Sequence, residues 1–173
     1  LFFVPPEPTL EAIAFALASL MPAPLDELLL HDWQPEDADL AKGDAVRMDV
    51  EDALGYERGG SVRHVAEPRD LCECAVIVVC AKARYDVNAL VGDKRKAGML
   101  CDLPIVRGVG QALRGFSGRV LVVTNPVDTM ARVFVDAAGL CAEQVFSFGA
   151  SLDSMRVRSV LREYGFRTEG LRC

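Results

Sequence analysis

Two short stretches, Ala75–Cys80 (AVIVVC) and Arg119–Val123 (RVLVV), constrain the fold more than any other feature of this chain. Each holds an unbroken apolar run, rich in β-branched residues and of strand length. A strand with one wetted face alternates apolar and polar residues. One that is apolar throughout is covered on both faces, as in a parallel sheet between layers of helix. The rest of the chain supplies the helices. Thr9–Leu20 (TLEAIAFALASL) has helical periodicity, with Thr9 as N-cap and Glu11 in the first turn. Met21-Pro-Ala-Pro24 then breaks the chain. Asp128–Ala138 reads as a helix stopped by Gly139, Leu152–Tyr164 as one ending at Gly165, and Leu103–Arg114 as one with Pro104 in its first turn.

Shorter strands complete the pattern: Leu1–Val4, Glu27–His31 ending at Asp32, Ser61–Val65 after the Gly59-Gly60 turn, and Val145–Phe148. Gln34–Met48 reads as a polar loop leading into a further helix. About six strands alternating with helices predict an α/β fold: a doubly wound, mostly parallel, Rossmann-like sheet with helices on both faces. With no linker or repeat in sight, residues 1–173 are expected to form a single domain.

A formal net charge of -6 argues against a nucleic-acid binder, which needs a basic face. No apolar run approaches the roughly 20 residues that span a bilayer, and Leu1-Phe-Phe-Val4 lacks the charged flank of a signal peptide. A cytoplasmic protein without membrane contact is the expectation. The six cysteines form no paired CxxC units, and His31 and His64 add no ligand cluster, so no metal site is expected. Cysteines within apolar runs read as small core residues.

Chemistry concentrates in two segments. Val122-Val-Thr-Asn-Pro-Val-Asp128 closes a buried strand and opens a helix; Gly149-Ala-Ser-Leu-Asp-Ser-Met-Arg-Val-Arg158 follows the last strand. In this order and separation they resemble the lactate/malate dehydrogenase family, whose chains read TNPvD and then LDsaRfR. Gly92-Asp-Lys-Arg95 followed by Asp102-Leu-Pro-Ile105 is similar to that family's mobile-loop arginine and the helix after it, and Lys42-Gly43-Asp44 to its kGe segment. The resemblance runs from the first strand to about Tyr164 and implies NAD as cofactor, a small 2-hydroxy or 2-oxo acid as substrate, and a homo-oligomer.

Asp32 closes the second strand, where a dinucleotide fold places an acidic residue on the adenosine ribose hydroxyls. Asn125 carries an amide that both donates and accepts, and the resemblance sets it against the nicotinamide ribose and a substrate oxygen. Ala81 is the retained alanine of the family's T-A-G strand end and is implied to line the cofactor. Asp153 and Arg156 are three apart on a predicted helix and so share a face. The resemblance implies that Asp153 orients a catalytic histidine and that Arg156 grips the substrate carboxylate with its planar fork. It also implies that Arg95, on a loop without strong periodicity, polarises the substrate carbonyl after closure. Asn88 is the candidate for the specificity position.

Several positions depart from that pattern. The first strand runs into Val4-Pro5-Pro6-Glu7-Pro8 where the family has G-x-G-x-x-G. Prolines remove amide donors and Glu7 adds negative charge where phosphates should sit, so NAD binding is expected to be weak or lost. Cys80-Ala81-Lys82 replaces T-A-G, and Ser147 takes a place commonly held by glycine. The family's proton-exchanging histidine lies in a G-E-H-G segment that would follow Cys173, together with the substrate-binding second half. This polypeptide alone is therefore expected to be inactive. The alternative expectation is a non-catalytic, degenerate Rossmann module acting in binding or assembly.

Overall fold

The computed structural model describes residues 2–3, 26–31, 40–54, 61–83, 85–86 and 88–169, with the backbone alone at 2–3, 40–43, 53–54, 95 and 150–153. The predicted Thr9–Leu20 helix, the Pro5–Pro8 segment, the Gly59-Gly60 turn and Asp32 lie outside the described residues.

The strands are β1 (Phe2–Phe3), β2 (Glu27–Leu30), β3 (Ser61–His64), β4 (Val76–Val79), β5 (Arg119–Val122) and β6 (Val145–Ser147). The helices are α1 (Leu40–Leu54), α2 (Lys94–Ala112), α3 (Val127–Ala138) and α4 (Gly149–Glu163). Short 3-10 turns at Pro68–Glu73 and Ala142–Gln144, which the sequence pattern did not signal, precede β4 and β6. All strand pairs are parallel, in two ladders ordered β1-β2-β3 and β4-β5-β6. Because β1 lies beside β4, the strands run 3-2-1-4-5-6, the order of a doubly wound dinucleotide fold.

Apolar side chains account for this arrangement. Leu28, Leu29 and Leu30 of β2 are all buried, but on opposite faces. Leu29 joins a core with Ile77, Val79, Val120 and Val122 of the strands, Val106, Val109 and Leu113 of α2, and Met130 and Phe134 of α3. Leu28 and Leu30 pack with Val62 of β3 and with Val46 and Val50 of α1. Alternate strand side chains thus enter cores on the two faces, the arrangement expected of apolar parallel strands. Cys80 is buried and Cys72 and Cys74 edge the larger core, in keeping with cysteine as a small apolar residue. Burial pushes the Cys74 thiol above its ordinary pKa, which suppresses the reactive thiolate.

Helix α2 corrects one expectation. It begins at Lys94 rather than Leu103, and Pro104 lies inside it rather than in its first turn. Asp93 fixes the earlier start: its carboxylate accepts from the Lys96 amide (3.3 Å) and its carbonyl from the Ala97 amide (2.9 Å). Pro104 lacks the amide that would bond to the Leu100 carbonyl, but both residues are exposed, so water can take that acceptor. The stretch read as a polar loop, Gln34–Met48, is also corrected, since α1 already runs from Leu40 to Leu54; the remaining ends differ from expectation by one to three residues, as helix and strand ends do. Gly139 terminates α3 with φ 68°, the left-handed conformation glycine adopts without cost.

The last helix, α4, is the least embedded of the four described helices: none of its described side chains is buried. Met155, Val157 and Val160 are about half exposed, and Tyr164 and Phe166 beyond it more so. Among the described residues no helix is long and apolar enough to cross a membrane.

Candidate functional site

In a sheet of this order, ligands collect beyond the carboxyl ends of the strands, at the switch between β1 and β4. The segment leaving β4 is Cys80-Ala81-Lys82-Ala83, and two side chains fasten it. Buried Thr124, just past β5, donates its hydroxyl to the Ala81 carbonyl (2.7 Å). Buried Asp102 of α2 accepts the Ala83 amide at Oδ1 (2.7 Å). Ala81 is fully buried between these ties, whereas Lys82 projects from them and is exposed. The Lys82 ammonium lies 5.2 Å from the centre of the Tyr85 ring. That ring rests on Gly98 of α2, where a Cβ would come 2.5 Å from the Tyr85 hydroxyl oxygen.

Burial raises the Asp102 pKa, opposed by the Ala83 amide and the charge of Lys82. A carboxyl whose pKa is higher folded than unfolded favours the fold most when protonated. Its contribution is full below the unfolded pKa and is lost as pH rises through the folded one. Asp102→Asn keeps an acceptor and cannot ionise. Thermal melts across pH should therefore show the variant gaining on the parent from the ordinary carboxylate range upward, then a constant difference. A difference independent of pH would overturn this account.

The two sequence motifs meet at the far end of the sheet. Asn125 lies three residues beyond the end of β5, is exposed, and joins Pro126 through a cis peptide. The Phe148 amide donates to the Val122 carbonyl (3.0 Å), carrying the β5–β6 pairing up to α4. Ser147, where the family has glycine, donates its hydroxyl to Asp128 Oδ1 (2.5 Å). A Cβ on Gly149 would fall 2.6 Å from Val127 Cγ2, so the bare glycine lets the first turns of α3 and α4 touch. The helix that carries Asp153 and Arg156 thereby starts against the first turn of the helix that follows Asn125.

Asp153 is the fifth residue of α4, with only its backbone described, and Arg156 is exposed one turn later. Asn88 is exposed in the β4–α2 connection, where its amide donates to Asp86 Oδ1 (2.8 Å). Arg95 departs from its expected loop position: it is the second residue of α2, within the first turn organised by Asp93, and only its backbone is described. Asp32 lies outside the described residues, one position past the buried His31. Among the described residues no group of three or more His, Cys, Asp or Glu could hold a metal.

Sequence reasoning gave no role to Thr124, Asp102, Tyr85 or Gly98. For Asp102 the signal was present. With Gly98, Val106, Val109 and Leu113 it follows the three- and four-residue spacing of a core-facing helical stripe, so a carboxylate there must have a buried donor. Thr124 carried only the weaker signal of a hydroxyl at a buried strand end.

Comparison with known proteins agrees with this geometry. The family model described as "lactate/malate dehydrogenase, NAD binding domain" matches residues 11–147. The L-lactate dehydrogenase of Limosilactobacillus reuteri is 31% identical over 150 residues, 86% of this chain and 43% of that protein. The malate dehydrogenase of Picrophilus torridus is 38% identical over 80 residues, 42% of this chain and 25% of that one. Among solved structures, a lactate dehydrogenase from a Medee basin deep-sea metagenome library superposes with a TM-score of 0.74 at 24% identity, covering 96% of this chain and 51% of that one. Malate dehydrogenase from Archaeoglobus fulgidus in complex with NADH gives 0.74 at 22%, covering 97% and 55%. The chain thus spans about half the length of the relatives it matches. The family model covers most of the chain, including the Asn125 motif, and ends just before the Gly149–Arg158 motif; the chain belongs to the lactate/malate dehydrogenase family, within its NAD-binding domain.

Proposed function

We propose that this chain is the cofactor-binding half of an NAD-dependent dehydrogenase acting on a small 2-hydroxy or 2-oxo acid. The observation that carries the reading is the joining of the two motifs: Asn125 beyond β5 and the Asp153–Arg156 turn of α4 share one end of the sheet. The strand ends suit a nicotinamide dinucleotide. Ala81 is a small buried residue whose carbonyl is held by Thr124, Asn125 presents an exposed amide that donates and accepts, and Lys82 is a cation at the β1–β4 switch.

NAD, when bound, supplies the hydride acceptor, or in its reduced form the donor. The residues of this chain bind and orient. Asn125 holds a ribose or substrate oxygen, Arg156 takes the substrate carboxylate as a fork, and Asn88 and Arg95 sit on the segment that would close over it. Asp153 holds the N–H of a histidine, fixing which ring nitrogen exchanges the substrate hydroxyl proton. On this reading a histidine from outside residues 1–173 completes the reaction, and the chain by itself forms one inactive binding domain. A cytoplasmic homo-oligomer is part of the same proposal.

The test is titration of the purified chain with NADH. A ligand present at about 20 times its Kd stabilises by about 1.8 kcal/mol, a shift of several degrees in Tm for a chain of this size. That shift should come with enhanced, saturable NADH fluorescence. Neither signal at 1 mM NADH would overturn the reading. It would instead favour a binding or assembly module without cofactor, for which the Pro5-Pro6-Glu7-Pro8 sequence is the supporting observation.

A further inference from the structure

We draw no further inference here: the strongest candidate, the exposed apolar face of α4 and the turn beyond it formed by Met155, Val157, Val160, Tyr164 and Phe166, carries nothing because nothing in the structure shows what covers it.

Discussion

Phe134→Ala is expected to lower the free energy of unfolding by about 3–5 kcal/mol, a large share of the roughly 5–15 kcal/mol that holds an ordinary domain. Phe134 is fully buried in the core formed by β4, β5, α2 and α3. The cost of such a truncation depends on how far the surroundings can collapse into the space. Here they are held apart. A Cβ on Gly110 of α2 would come 2.9 Å from the Ala137 side chain and 3.2 Å from the Phe134 carbonyl, so α2 and α3 already meet backbone to backbone. Arg114 closes the same crossing by donating to the Ala137 carbonyl (3.1 Å). The cavity should persist, which places the loss at the upper part of that range. Urea unfolding followed by circular dichroism measures it, and Phe134→Leu, which retains most of the volume, should cost much less. A midpoint shift worth under about 1 kcal/mol for the alanine variant would mean that the crossing yields.

The second large effect comes from adding atoms. Gly118→Ala should destabilise by about 2–3 kcal/mol through overpacking. The new methyl would lie 2.4 Å from the Ala75 carbonyl oxygen and 2.5 Å from the Phe116 ring. The ring can turn aside at little cost, but the carbonyl belongs to the backbone and accepts the Arg119 amide (3.0 Å) that begins the β4–β5 ladder. The Gly118 carbonyl is also fixed, accepting from Gln144 Nε2 at 3.1 Å. Relief of the clash therefore requires β5 to move away from β4. Since β5 leads into Thr124 and Asn125 just beyond its carboxyl end, the same substitution should weaken NADH at that end of the strand. A variant with the parent's Tm would show that the foot of β5 has slack.

Much of this was legible in the chain, for physical reasons that differ from element to element. β4 and β5 were plain because a strand covered on both faces admits only apolar residues, and AVIVVC and RVLVV satisfy that at nearly every position. The α3 stop at Gly139 was plain because a left-handed residue is cheapest as glycine. The start of α2 was not. Its first turn, Lys94-Arg-Lys-Ala97, carries no apolar stripe, and Pro104 resembles an N-terminal signal when read locally. Only the bond between Asp93 and the Lys96 amide decides the matter, and an Asp in a polar stretch announces no such bond.

The candidate site divides the same way. Asn125 and the Asp153–Arg156 turn were readable because each sits in a contiguous motif. The Thr124–Ala81 and Asp102–Ala83 ties were not, because their partners are 43 and 19 positions apart and meet only after the sheet has formed. Lys82 illustrates the opposite hazard. Measured against the family's T-A-G it looked like erosion, yet its neighbours in space hold it as a fixed cation.

The shallow burial of α4 has a consequence for motion. Segments with few buried apolar contacts open at free energies well below that of global unfolding, and in units that follow secondary structure. With no buried side chain among its described residues, α4 belongs at that low end, while β4 and β5 belong at the other. Arg156 thus rides on a helix that can fray independently of the sheet, whereas Asn125 is anchored to the sheet itself. Amide exchange would separate the two: slow at the β5 strand end, fast along α4, and slower in α4 only when something engages its exposed face. A carboxylate reaching Arg156 would then find part of its interaction energy diverted into ordering the helix, so affinity at this site is a property of helix order as much as of guanidinium geometry.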